Sequence, residues 1–257
     1  MSIVKYTATK LNAIGKEGSI KPDANGYYTI IVGGLNTLNS AQEYYTLDGA
    51  KELFDSSSIF MRRVANGSLK GEVGHPKALP GMSKDDFMGR VLRIEETNIC
   101  SHFSEIWLDE NFGRNNPRFN NPKLVAIMAK VKPIGPKGPY LKEAFENKGE
   151  NVCFSIRAMT RDYYSKGVNH RVLAAILTFD WVTEPGISIS NKFDSPATES
   201  FQLETTDSMF MSRVTLEEIV NSKAGIAQES TREFAMEALK ACSGHYNTAS
   251  VPLHHKW

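Results

Sequence analysis

Apolar residues fall mostly into short runs bounded by turn formers, the spacing of strands rather than of long helices. Tyr28-Thr29-Ile30-Ile31-Val32, between Asn25-Gly26 and Gly33-Gly34, predicts an edge strand or hairpin. Ser58 to Val64 reads as a strand leading toward the glycine-flanked His75. Met88 to Trp107, rich in β-branched residues and without Pro, predicts one long or two consecutive strands. Leu124 to Val131 and Arg171 to Val182 are further buried strands, the second closed by the turn Thr183-Glu184-Pro185-Gly186.

Helical spacing is rarer. Leu47 to Phe54 carries it, with Asp48 as N-cap. Tyr140 to Lys148 places Leu141, Ala144 and Phe145 on one face, and Gly149 follows as a natural terminator. Thr215 is placed to cap Leu216 to Ser222, and Ser230 with Glu233 forms a capping box for a helix reaching about Cys242. Asp109 to Pro122 is a polar, Asn-rich loop, and residues 187–211 are polar and weakly patterned, as a linker would be. The order of elements predicts an α+β fold: a mainly antiparallel β-barrel or curled sheet with helices outside. At 257 residues the chain suits a single domain, with a core over about 27–190 and a C-terminal helical segment over about 212–244.

Composition narrows the function classes. Thirty basic and 29 acidic residues leave a net charge of +1, and the basic ones are scattered, so nothing favours nucleic acid or an acidic membrane. The start, Met1-Ser2-Ile3-Val4-Lys5-Tyr6, lacks a signal-peptide pattern, and no apolar window is long enough for a spanning helix. The 3 cysteines, Cys100, Cys153 and Cys242, are far apart and match neither a disulfide framework nor a zinc spacing. Walker A, dinucleotide-binding, Gly-x-Ser-x-Gly and His-Glu-x-x-His motifs are all missing.

The remaining chemistry lies in two segments. Gly71-Glu72-Val73-Gly74-His75-Pro76 holds a histidine between residues that shape the backbone. Val152-Cys153-Phe154-Ser155-Ile156-Arg157-Ala158-Met159 holds a serine inside an apolar strand. Strand alternation puts Ser155 and Arg157 on one face, a nucleophile beside a cation able to meet developing negative charge. A serine needs an imidazole to take its proton. His75 is one candidate, and His102 in Cys100-Ser101-His102-Phe103 is its rival, while His170, His245, His254 and His255 sit in turns or polar ends. Asp180 interrupts the apolar run Leu173 to Val182 and is the best acid to orient the histidine, ahead of Asp162 and Glu184. Judged singly, a half-exposed strand serine and a loop histidine are ordinary structural residues.

Taken in order, these segments resemble the prohead maturation proteases of tailed bacteriophages over residues 58–190. Gly71 to Pro76 is similar to that family's Gly-Glu-Leu-x-His-Pro segment. Ser101-His102 resembles a second element, and Pro133-Ile134-Gly135-Pro136-Lys137-Gly138 with the helix after it resembles the turn and helix before the nucleophile. Val152 to Ala158 resembles Val-Gly-φ-Ser-x-Arg-Gly/Ala, and Phe179 to Pro185 the later Asp-x-Val-x-x-Pro. Cys153 departs from the usual Gly, and the insertion at 109–122 is longer than usual. The resemblance implies a herpesvirus-assemblin-like barrel and a serine endopeptidase packaged in the prohead within the host cytoplasm. Ser155 would be the nucleophile, His75 the base and Asp180 its partner, with Arg157 and His102 auxiliary and the oxyanion served near Arg157. Substrates would be scaffold and major capsid proteins and the protease itself, with Glu199, Glu204 and Glu229 as candidate self-cleavage positions. Self-association is expected, and no cofactor, metal, nucleic acid or membrane is implied. The rival readings are a catalytically inactive scaffold or head protein with the same fold, and a small-molecule esterase.

Overall fold

Ser155 and Asp180 sit on neighbouring strands of one hairpin, and the rest of the fold brings a third segment to them. The computed structural model describes residues 17–196 together with short strands at Ala8–Thr9, Thr198–Phe201 and Ser208–Met209. The chain divides into two compact units, Lys16–Leu203 and Met1–Gly15 with Glu204–Trp257. In the second of these, β1 (Ala8–Thr9) pairs antiparallel with β12 (Ser208–Met209). The helices expected at 216–222 and 230–242 lie outside the described residues.

The unit Lys16–Leu203 is α+β, with two four-stranded sheets. The first runs β3 (Tyr28–Leu35), β8 (Val125–Pro133), β7 (Ile99–Asp109), β6 (Lys70–Glu72), each pair antiparallel. The second runs β4 (Thr37–Leu38), β5 (Tyr44–Tyr45), β10 (Val168–Val182), β9 (Cys153–Ser165). Only β5 and β10 pair in parallel there. A separate ribbon joins β2 (Glu17–Ile20) to β11 (Thr198–Phe201). The helices are short: α1 (Ile59–Ala65), α2 (Lys84–Val91), α3 (Phe112–Asn115) and α4 (Gly138–Glu146). Among the described residues no helix is long and apolar enough to cross a membrane.

Side-chain alternation on β9 and β10 divides core from site. Phe154 and Phe179 are both fully buried and meet across Phe103, with ring centroids 6.0 and 5.7 Å away. The following residue on each strand, Ser155 and Asp180, therefore turns to the opposite face, and the two are paired directly across the ladder. α4 closes the core with Leu141, Ala144 and Phe145, and Phe145 stacks on Tyr28 at 4.1 Å. That helix matches its periodicity because a single apolar stripe meets a sheet.

Four expectations are corrected. Ser58 to Val64 is helical, because Ser58 caps the Met61 N–H at 3.0 Å and Phe60 and Val64 bury on one face. Met88 to Trp107 begins in α2 rather than a strand. Ser83 caps it at Asp86, with Asp85 and Asp86 in the first turn, and none of its side chains is buried, so hydrophobic spacing could not reveal it. The helix expected from Leu47 shrinks to one 3₁₀ turn at Lys51–Phe54. Residues 187–195 are not a linker, since Ile187, Ile189, Ser190 and Lys192 are buried. Lys192 anchors the segment by donating to Ala144 O and Asn147 O, carbonyls at the C-terminal end of α4, at 3.1 and 2.7 Å. Burial brings its ammonium down to about 8.

β5 covers the free edge of β10 only at His170 and Arg171. Further along, β6 takes that edge: Val73 bridges Trp181 in parallel, and Gly71 lies against the Phe179 carbonyl. At the other side of the unit Gly33 of β3 lies against Ile156 of β9. A Cβ on Gly71 would collide with Phe179 O and lie 2.6 Å from Ser101 Oγ. Gly74, at φ +70°, has no atom within 4 Å of such a Cβ. Gly71→Ala is therefore expected to destabilise by about 3 kcal/mol through overpacking, and Gly74→Ala by about 1–2 kcal/mol through left-handed backbone strain alone. Urea unfolding midpoints of the two variants check this, and the reverse order would show that the close approach of β6 to β10 is not the tighter constraint.

Candidate active site

Gly74 turns the chain out of the β6 edge and delivers His75 beside Asp180. The Gly74 N–H donates to Trp181 O at 2.6 Å, and Asn98 holds Val73 from the other side, its Nδ2 donating to Val73 O at 2.8 Å. His75 Nδ1 then lies 2.8 Å from Asp180 Oδ2. A carboxylate accepts, so Nδ1 carries the proton and Nε2 presents its lone pair away from the acid. The His75 side chain is 43% exposed and that of Asp180 is fully buried, so the acid is fixed from inside and the imidazole opens outward.

Asp180 is held by more than the histidine. Arg157 Nε donates to Oδ2 at 2.8 Å and Nη2 to Oδ1 at 2.7 Å, a bidentate pair, and the Glu72 N–H reaches Oδ1 at 3.2 Å. Arg157 Nη1 donates to the carbonyls of Arg93 and Val91 at 3.0 and 3.3 Å, tying the C-terminal end of α2 to the site. Glu72, fully buried, accepts from Arg90 at 2.5 and 3.2 Å and from the Glu95 N–H at 2.6 Å, with Arg157 Nη2 3.4 Å away. Burial opposes its ionisation, but Arg90, the Glu95 N–H and Arg157 outweigh that and hold the carboxyl below the ordinary 4.5.

Ser155 and His75 line one cavity of about 230 Å³, with Asn39, Tyr45, Arg171 and Ser190 on its walls. Gly186 closes in on the hydroxyl: a Cβ there would sit 3.3 Å from Ser155 Oγ. The other predicted site residues lie elsewhere or point elsewhere. Arg157 does not line the cavity; its three nitrogens are committed to Asp180 and to backbone carbonyls. His102 is on β7, hydrogen-bonded to Tyr27 Oη and Gly67 O at 3.1 Å each, and burial depresses its pKa. Asp162 lies 3.7 Å from Arg171, and His170 stacks on Tyr163 at 4.8 Å. His245, His254 and His255 are outside the described residues.

Glu72, Arg90, Gly186 and Ser190 were not singled out from the sequence. Glu72 had a signal, since it sits inside the histidine motif; Arg90 had none, because its helix has no apolar face.

A model of the peptidase S80 family matches residues 6–242. The chain belongs to the peptidase S80 family. It is similar to the capsid maturation protease of Pseudomonas phage phiKZ, 32% identical over 197 residues that cover 75% of this chain and 70% of that protein. No solved structure matches it. This S80 peptidase thus combines an imidazole–carboxylate pair, a serine in the adjoining cavity and a buried ionic frame behind them.

Two outcomes follow from the frame. Arg157→Ala leaves two buried carboxylates facing each other and is expected to destabilise by about 3–5 kcal/mol in urea unfolding. Glu72 has a depressed folded-state pKa, so its contribution is present above 4.5 and fades as pH falls through the lower folded value. The Glu72→Gln variant should lose stability less steeply than wild type between neutral pH and the acid limb, as read from melting temperature against pH. Parallel curves would mean that Glu72 is not a source of the acid sensitivity.

Proposed function

We propose that this peptidase is a serine endopeptidase of phage capsid maturation, with Ser155 as nucleophile, His75 as general base and then general acid, and Asp180 orienting His75. The observation that carries the reading is the 2.8 Å His75–Asp180 bond at the rim of a cavity that Ser155 lines. With Nδ1 donating to Asp180, Nε2 is the nitrogen left to accept the Ser155 proton as Oγ attacks a peptide carbonyl. The tetrahedral intermediate collapses, the peptide C–N bond breaks, and His75 returns the proton to the leaving amine. Water then attacks the acyl-enzyme by the same route.

The cysteines do not compete for this role among the described residues. Burial pushes the thiols of Cys100 and Cys153 up to about 12, so neither supplies a thiolate at neutral pH. Arg157, expected near the oxyanion, is assigned instead to holding Asp180. The approach of β6 to β10 and of β3 to β9 supports a barrel of β3, β8, β7, β6, β10 and β9, the herpesvirus-protease-like architecture expected above. The phiKZ relative's name supports action on head proteins, so the substrates we assign are scaffold and capsid proteins inside the prohead. Self-cleavage at Glu199, Glu204 or Glu229 belongs to the same proposal; Glu199 pairs with Ser19 across the β2–β11 ribbon, which must open before that bond is cut.

Co-expression with a scaffold substrate tests the assignment. Ser155→Ala and His75→Ala are expected to leave the substrate intact, Asp180→Asn to cut about 10⁴-fold more slowly, and His102→Ala to cut normally. An active Ser155→Ala enzyme would overturn the nucleophile. A dead His102→Ala beside an active His75→Ala would transfer the base to β7.

A further inference from the structure

Attack by Ser155 places negative charge on the substrate carbonyl oxygen, and a positioned donor must meet it. With Arg157 committed to Asp180, that donor has to come from the cavity itself. Its side-chain candidates are Asn39, Tyr45, His75, Arg171 and Ser190. Asn39 Nδ2 donates to Glu43 Oε2 at 2.9 Å. Arg171 is held in an ion pair with Glu43, Nε lying 2.8 Å from Oε2. His75 has its Nδ1 on Asp180.

The Ser190 side chain has neither a hydrogen bond nor an ion pair among the described residues, yet the residue is 1% exposed. A buried hydroxyl without a partner is unfavourable in the resting fold and calls for a functional explanation. Its backbone is well fixed: the Ser190 N–H donates to Ile187 O at 2.9 Å, and its carbonyl accepts from Phe154 N–H, the residue before Ser155, at 3.0 Å. The segment that carries Ser190 also carries Gly186, which lies against the Ser155 hydroxyl.

We propose that the Ser190 hydroxyl is the side-chain oxyanion donor of this peptidase. The inference rests on the serine-nucleophile reading. In the step, the Ser155 Oγ–carbonyl carbon bond forms as the C=O π pair moves onto oxygen and the Ser155 proton passes to His75 Nε2. Ser190 Oγ–H donates a hydrogen bond to that oxygen and keeps its proton. When the tetrahedral species collapses, the pair re-forms C=O and the C–N bond breaks.

The test is the rate at which the full-length enzyme is labelled by a fluorophosphonate, which builds an anionic oxygen on phosphorus as the serine attacks. Wild type should label and Ser155→Ala should not; labelling of Ser155→Ala at the wild-type rate, or none of wild type, would overturn the nucleophile reading itself. Given a labelled wild type, Ser190→Ala is expected to react about 10²-fold more slowly with an undiminished melting temperature, and Ser190→Thr, which keeps the hydroxyl, to recover most of the rate. Wild-type labelling by Ser190→Ala would overturn the donor role. So would equal slowing of the Ala and Thr variants, which marks a packing effect.

Discussion

A buried carboxylate is tolerable only when something pays for its lost hydration, and at Asp180 that something is Arg157. The fork of the guanidinium fills both carboxylate oxygens, the Glu72 N–H adds a third donor, and His75 supplies the fourth. Asp180 is thus oriented before the histidine reaches it. Glu72 and Arg90 extend the same frame outward, one buried acid and one partly exposed base, so that Arg157 is itself gripped between two acids. His75 meets an acceptor whose direction is already set.

The sheet supplies the other half of the arrangement. Phe154 and Phe179 root β9 and β10 in one aromatic cluster, and alternation then forces Ser155 and Asp180 to the same opposite face. Position along two strands, rather than any loop conformation, fixes these two groups. The histidine is the loop residue, in the segment 73–83 between β6 and α2, and the two residues before it are hydrogen-bonded to Asn98 and Trp181.

The sequence was most readable where chemistry interrupts a regular pattern. Asp180 stood out because it breaks an apolar run, His75 because glycines and a proline frame it, and Ser155 because it sits in a buried strand. α4 was legible because its stripe faces a sheet. α1 was misread because Ile59-Phe60-Met61 looks like a strand until the Ser58 cap is weighed. α2 had no hydrophobic pattern to find, being tied down by Arg90 and by its carbonyls on Arg157. Arg157 was placed on the correct face, but only the three-dimensional position of Asp180 shows which way its fork points. Residues 187–195 looked like a linker because polar side chains there, Lys192 and Ser195 among them, are buried for reasons of hydrogen bonding rather than hydrophobicity.

The close approach of β6 to β10 also sets an order of assembly. Ser155 and Asp180 lie on adjacent strands of one hairpin, whose pairing closes a short loop at 166–167. The His75–Asp180 contact spans 105 residues and needs β6, β7 and β8 in place first. Because long-range contacts form at greater entropic cost than local ones, the hairpin is expected to form first and the histidine contact after it. A chain folded only as far as its hairpin would hold Ser155 opposite Asp180 without His75, so the triad proposed above would lack its base until the sheets have met.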